Sequence, residues 1–246
     1  MQLIQNLAPS VLVAQTEIVH AATLATAQTA LQGFNLALHV NDENSRVQQH
    51  RMALLEQLTP YGVQQLTWLN QTHSTQCHRV EEQVRMLPLA GDALVTQQRG
   101  HALMIMTADC LAIALGDAAG QEVAVLHAGW RGLANGMIEN TVASMQYPAT
   151  WAWMGAAISQ AHFEVGAEVR EQFCSRYPAL SEAFIAAAQA GKYYADLYAM
   201  AGYILQQLGI QQITGGEQCS YAQAKQFYSY RRNPLSGRMA TLVFRQ

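Results

Sequence analysis

Two apolar runs, LAIALGD and EVAVLHA, follow one another in the stretch from Thr107 to Gly132. Their outer ends carry a cysteine, Cys110, and a histidine, His127, in a chain with only four cysteines and eight histidines. Asp117–Gly120 (DAAG), between the runs, has the composition of a turn. A turn centred between Ala118 and Ala119 makes an antiparallel hairpin with Cys110 directly opposite His127. Opposed Cβ atoms lie about 4.5–5.5 Å apart, close enough for two side chains to share a metal ion or a proton. A lone cysteine beside a strand is often only a small core residue. Here Asp109, Gly129, Trp130 and Arg131 accompany the pair at strand ends, where sites tend to sit.

A catalytic zinc usually keeps three protein ligands and one open position. The third donor can come from His39, His50, His73, His78, His101 or His162. His73 is favoured, because in NQTHS it ends another strand-like run among polar residues. A His/Cys/His set suits zinc, with thiolate and imidazole both good ligands. The ion would activate water near neutral pH.

The elements that must position these residues follow from periodicity. Residues 43–58 read as a helix, with Val47, Met52, Leu54, Leu55 and Leu58 at helical spacing. QQLTW, ALVTQQ, ALMIMTADC, LAIALGD, EVAVLHA and WAWMGAAIS read as strands. Residues 131–145 read as one helix, as do FEVGAEVREQFCSRY and DLYAMAGYILQQLGI. The last is opened by Asp196 as N-cap and closed by Gly209. A turn at Asn233-Pro234 precedes a final strand. Strands and helices mix without strict βαβ alternation, so the expected class is α+β.

With 246 residues, half of them hydrophobic, the chain can bury one large core. A net charge of −3 argues against a nucleic-acid binder. The basic residues are 12 Arg and only 2 Lys, and arginine is the better fork for phosphate and carboxylate. Cys77, Cys110, Cys174 and Cys219 form no CxxC pair and suggest no disulfide framework. The start of the chain has no signal-peptide pattern, and no run approaches a membrane span. The expectation is a cytoplasmic protein with no membrane or nucleic-acid partner.

NQTHS, TADC, HAGWRG, FEVGAEV and FYSYRR, in this order, resemble the polyphenol oxidase (laccase-domain) family. Its members are also described as purine nucleoside phosphorylases or peptidoglycan editing factors. The resemblance runs from FNLALHVND to SGRMATLVF and implies a single α/β/β/α sandwich with mixed sheets over residues 1–246. It also implies a metal site at His73, Cys110 and His127, with roles near it for Asn35, His39, Arg51, Gln71, Arg131, Cys219 and Ser229. The sequence departs from the common pattern at His50, at Ala112, and at Ser159-Gln160.

The functions implied are zinc-dependent phosphorolysis of adenosine, inosine or methylthioadenosine, and adenosine deamination. Phosphorolysis needs an anion site, for which Arg51, Arg131, Arg231 and Arg238 are candidates. Trp68, Trp130, Tyr228 and Tyr230 could stack on a purine, although such aromatics are more often plain core or surface residues. The alternative substrate is a muropeptide precursor, from which an amidase would remove a wrong amino acid. In its metal-free form Cys110 is the nucleophile and His127 the base. A third class is a zinc-stabilised scaffold with its fourth position closed by Cys219 or Asp109. A multicopper oxidase needs roughly ten histidines, often as His-x-His pairs. This chain has eight and no such pair, so copper is expected only as an alternative ion at the His/Cys/His site.

Overall fold

The computed structural model describes residues 1–19, 31, 33–81 and 88–246. In chain order the elements are β1 (Gln2–Ile4), β2 (Val11–Gln15), α1 (Asn44–Leu58), β3 (Gln65–Trp68), β4 (Cys77–Arg79), β5 (Ala93–Thr96) and β6 (His101–Thr107). Then come β7 (Leu111–Gly116), β8 (Val123–Ala128), α2 (Trp130–Asn135), α3 (Met137–Ser144), β9 (Trp151–Met154), β10 (Glu164–Gly166) and α4 (Ala167–Arg176). The chain closes with β11 (Phe184–Ala186), β12 (Lys192–Ala195), α5 (Leu197–Gln207), β13 (Gln212–Gly215) and β14 (Met239–Arg245).

Two mixed sheets stack face to face. One runs β1-β2-β14-β6-β3 and the other β13-β9-β7-β8-β5-β4, with a small sheet β10-β12-β11 to the side. The strand alternation shows the layering directly. Ala112 and Ala114 of β7 join Val123 and Val125 of β8, Leu103 and Ile105 of β6 and Val13 of β2 in the core between the sheets. Leu111, Ile113 and Leu115 point the other way, into a core built with residues of α2, α3, α4 and α5. On the far face of the first sheet, Met104 and Leu242 pack with Leu54 and Leu58 of α1. The architecture is the α/β/β/α sandwich that the family resemblance implied, and it fits the α+β class read from the residues. Strands buried on both faces read as continuous apolar runs, which is why β6, β7 and β8 were visible in the sequence.

The hairpin register differs from the expected one. Ala112, not Cys110, pairs with His127, and Leu111 pairs with Ala128. The loop includes Gln121 and Glu122, because the Asp117 carboxylate accepts hydrogen bonds from the amides of Ala119, Gln121 and Glu122 at 2.9, 2.7 and 2.7 Å. The turn centre therefore lies between Ala119 and Gly120, and the register slips by two. A slip of two keeps every side chain on its face, so Cys110 stays on the His127 side as a diagonal neighbour.

Three other expectations need correction. The helix over 131–145 is split into α2 and α3 at Gly136, whose φ is 96°. FEVGAEV begins as strand β10, and the helix starts only at Ala167. Met52 is 64 % exposed, while His50 and Arg51 take the buried face of α1. Asp196 does cap α5, accepting from the Ala199 amide at 3.0 Å, and Gly209 beyond its end has φ 84°. Among the described residues, no helix is long and apolar enough to cross a membrane.

Asp117 is buried at the hairpin loop, so removing its carboxylate leaves backbone amides unpaired. Asp117→Ala is expected to lower the unfolding free energy by about 1–3 kcal/mol, read by urea denaturation.

Candidate metal centre

The centre starts from a strand register. Ala93 of β5 pairs with Leu126 of β8, which sets the preceding residue, Asp92, across from His127. The His127 amide donates to the Asp92 carbonyl at 2.7 Å, and its Nδ1 donates to Asp92 Oδ1 at 2.8 Å. That bond fixes the tautomer and leaves Nε2 as the free lone pair.

The same carboxylate builds the next loop. The amides of Thr72, His73 and Ser74 donate to Asp92 at 3.2, 3.1 and 2.6 Å, and the Thr72 and Ser74 hydroxyls add bonds of 3.2 and 2.7 Å. Three consecutive amides on one carboxylate form a nest. They hold His73 at a left-handed φ of 58°, with its ring edge-on to His127 and the centroids 4.8 Å apart.

Cys110 is set by a second strained residue. Asp109 has φ 90°. Its carboxylate accepts from the Ser220 hydroxyl and the Arg231 amide, both at 2.7 Å, and its carbonyl accepts from the Ile158 amide at 2.9 Å. One donor atom each from His73, Cys110 and His127 all lie within 4.8 Å of one another. Gly129 makes room for them, since a Cβ there would sit 3.0 Å from Cys110 Sγ and 3.5 Å from His127 Nε2. An imidazole–thiolate–imidazole set packed against a glycine fits a zinc-type ion.

Charge follows this geometry. Burial works to raise the Asp92 carboxyl, but hydrogen bonds from His127 and Ser74 outweigh it and hold it below the usual carboxylate range. Burial would also raise the Cys110 thiol, yet the charge and hydrogen bond of His127, helped by His73, bring it down to about 6. Burial opposes a charged His127, but Cys110 and Asp92 together push it above the ordinary imidazole value.

The other histidines weighed as ligands stand apart from this cluster. His50 Nδ1 is hydrogen-bonded to Asn35 O at 2.8 Å, and His78 Nε2 to Ala90 O at 2.8 Å. His101 sits between Thr67 and Gln98, and His162 stacks on Tyr221. His39 is exposed, and its pKa is lowered by partial burial and by the charges of Arg238 and Arg51.

Several expected neighbours are hydrogen-bonded within the protein. The Asn35 amide is spent on Ala37, Asp42 and the Arg238 amide. Gln71 clamps Met106 through both its amide and its carbonyl, at 2.8 Å each. Ser229 is buried and accepts from the Arg232 amide. Cys219 accepts from the Ser159 hydroxyl at 3.0 Å; burial raises its thiol, but bonds from Ser159 and Ala222 leave it lowered overall. Arg231 reaches the carbonyls of His162 and Glu164, and Arg131 lies exposed over Trp130. Of the aromatics proposed for stacking, Tyr230 is the exposed one, at 53 %. Asp92 was absent from the expected site, although its place just before a strand marked its position.

A cavity of about 480 Å³ opens elsewhere, at the sandwich edge between β3 and β4, lined by Trp68, His78, Leu89 and His101. Of the arginines weighed for an anion site, Arg51 borders it.

Residues 19–246 match the family described as multi-copper polyphenol oxidoreductase laccase. The chain belongs to this family. A laccase-family relative from Pseudomonas aeruginosa, named purine nucleoside phosphorylase, is 38 % identical over 221 residues, covering 89 % of this chain and 88 % of the relative. Another, from an unknown prokaryotic organism and named adenosine deaminase, is 34 % identical over 235 residues, covering 89 % of each. A crystal structure of a Neisseria meningitidis protein superposes with a TM-score of 0.91 at 36 % identity, covering 100 % of this chain and 98 % of that one. The names of these relatives point to an enzyme, and the His/Cys/His cluster fits a metal site.

Asp92→Asn is expected to weaken metal affinity by about 10–100-fold, measured by competition with a chromophoric chelator. In metal-stripped protein, alkylation of the Cys110 peptide should follow a thiolate with a midpoint near pH 6. His127→Ala removes the cation that favours the thiolate, so the midpoint should move upward and the rate at pH 7 should fall.

Proposed function

We propose that this protein is a zinc-dependent purine nucleoside enzyme that phosphorolyses purine nucleosides and deaminates adenosine. The observation that carries the reading is the convergence of His73, Cys110 and His127 within 4.8 Å. Asp109 and Cys219, the residues weighed as a closing fourth ligand, are bonded to Ser220 and Ser159 instead. Three donors with no fourth among the described residues is the pattern of a catalytic rather than a structural zinc. The names of the relatives support the substrate class.

Zinc bound there supplies Lewis-acid polarisation and activates water near neutral pH. The chain's own residues do the rest. Asp92 holds His127 in one tautomer and His73 in one backbone conformation. Arginines near the centre supply charge for phosphate. In phosphorolysis a phosphate oxygen attacks ribose C1′ and the bond to the purine nitrogen breaks. The electron pair leaves with the purine, which takes up a proton. In deamination water adds at the carbon bearing the amine, and ammonia departs with the proton it gains.

A second reading is favoured by the order Cys110–His127–Asp92, which matches nucleophile, base and orienting acid. In that reading a metal-free thiolate attacks the carbonyl of a peptidoglycan-precursor amide, the C–N bond breaks, the amine leaves with a proton from His127, and water then hydrolyses the thioester to free Cys110. Metal content separates the two, because a thiolate ligand to zinc is not free to attack.

Protein purified without a metal-affinity tag should carry about one zinc per chain. Cys110→Ala and His127→Ala should each lose it, together with more than about 100-fold of inosine phosphorolysis. Zinc-free wild type that hydrolyses a muropeptide amide would move the assignment to the second reading.

A further inference from the structure

The buried polar groups left without partners point to a second ligand. Six side-chain atoms are buried and unpaired among the described residues: Arg46 Nε, His50 Nε2, Arg51 Nη1, Thr107 Oγ1, Glu139 Oε2 and Ser236 Oγ. Four of these six belong to one knot around residues 35–37. His50 is bonded to the Asn35 carbonyl, and Arg51 Nε donates to the Leu36 carbonyl at 2.9 Å. The Leu36 amide donates to the Arg238 carbonyl at 3.2 Å, and the Arg238 amide donates to Asn35 Oδ1 at 2.9 Å. Arg238 Nη1 reaches the Ser236 carbonyl at 2.7 Å, and Thr107 pairs with Met239 next door. A cluster of orphaned buried groups in one place calls for a bound molecule.

The charges say which kind. Arg51 is 5 % exposed and lies over Trp68 at 4.2 Å, and burial lowers its pKa to about 10, so it stays a cation at neutral pH. Neither Arg51 nor Arg238 has a carboxylate within 4.0 Å among the described residues. The charges of both arginines act on His39, and the charge of Cys110 acts on Arg238. The acid nearest in effect, Asp109, is taken by Ser220 and by the Arg231 amide. A buried cation without a counter-ion is costly unless an anion joins it. The unpaired Arg51 Nη1 and the two unpaired hydroxyls suit an oxyanion that only accepts, beside an Arg238 whose Nη1 is held by the carbonyls of Ser236 and Gly237.

We propose that Arg51 and Arg238, with His39 and the hydroxyls of Thr107 and Ser236, form an inorganic phosphate site beside the metal centre. The identity of the ion as a co-substrate rests on the phosphorolysis reading above; the anion site rests on the knot itself. Arg131 and Arg231 are left out, since one lies exposed on Trp130 and the other has both Nη atoms on backbone carbonyls, whereas only Nη1 of Arg238 is so engaged.

The test is titration of the zinc-loaded full chain with inorganic phosphate, followed by ³¹P NMR and calorimetry. Wild type is compared with Arg238→Gln, Arg238→Lys and Arg51→Lys, at constant ionic strength. Phosphate affinity should fall at least ~10-fold in Arg238→Gln, less in the two lysine variants, with zinc per chain unchanged. Equal phosphate affinity in all four proteins would overturn the site. Arg238-dependent binding in a wild type that phosphorolyses no nucleoside would keep the anion site and sink the functional reading. Phosphorolysis whose KM for phosphate is the same in wild type and Arg238→Gln would keep the function and sink the site.

Discussion

A single buried carboxylate organises the functional end of this molecule. Asp92 has no exposed surface, and it accepts from His127, from three consecutive amides and from two hydroxyls. An unpaired charge in that position would be strongly destabilising. The loop after β3 must therefore close over it, and closing that loop brings His73 to His127. One residue thus sets the tautomer of one ligand and the backbone of another.

The sandwich explains why the site lies where it does. β7 and β8 are buried on both faces, so their strand ends are where polar groups reach the surface. Asp92 precedes β5, Cys110 precedes β7, and His127 stands at the end of β8. His73 comes from beyond the end of β3, in the opposite sheet. The centre therefore spans the two sheets at one end, and its geometry depends on how they stack. Two of the strained non-glycine residues, His73 and Asp109, are a candidate ligand and the neighbour of one. Each is held by several hydrogen bonds, as strain at a functional site requires.

Much of this was legible from residue order. Strands buried on both faces leave unbroken apolar runs, so β6, β7, β8 and β9 could be read, as could α1 and α5 from their spacing and caps. The Cys110–His127 pair was found with the register two residues off. It survived because side chains alternate with a period of two, so a slip of two leaves them on one face. The loop length was misread because nothing local shows that Asp117 will gather the amides of Gln121 and Glu122. The break at Gly136 was missed for a related reason: a glycine inside a helical pattern is tolerated in some helices and ends others.

The sequence by itself determined the mixed α and β class and the residue types of a candidate metal site, because these follow from local periodicity and from the chemistry of His and Cys; the layering came from the family resemblance. Only the tertiary structure decided that Asp92 is the hub, that Asn35, Gln71 and Ser229 are hydrogen-bonded within the protein, and that Arg51 and Arg238 have no carboxylate beside them among the described residues. Each of these depends on a partner far away in the chain, and hydrogen bonding between distant residues leaves no periodic trace. A buried arginine and a solvated one look alike in sequence; only the fold shows which is buried and has no acid beside it.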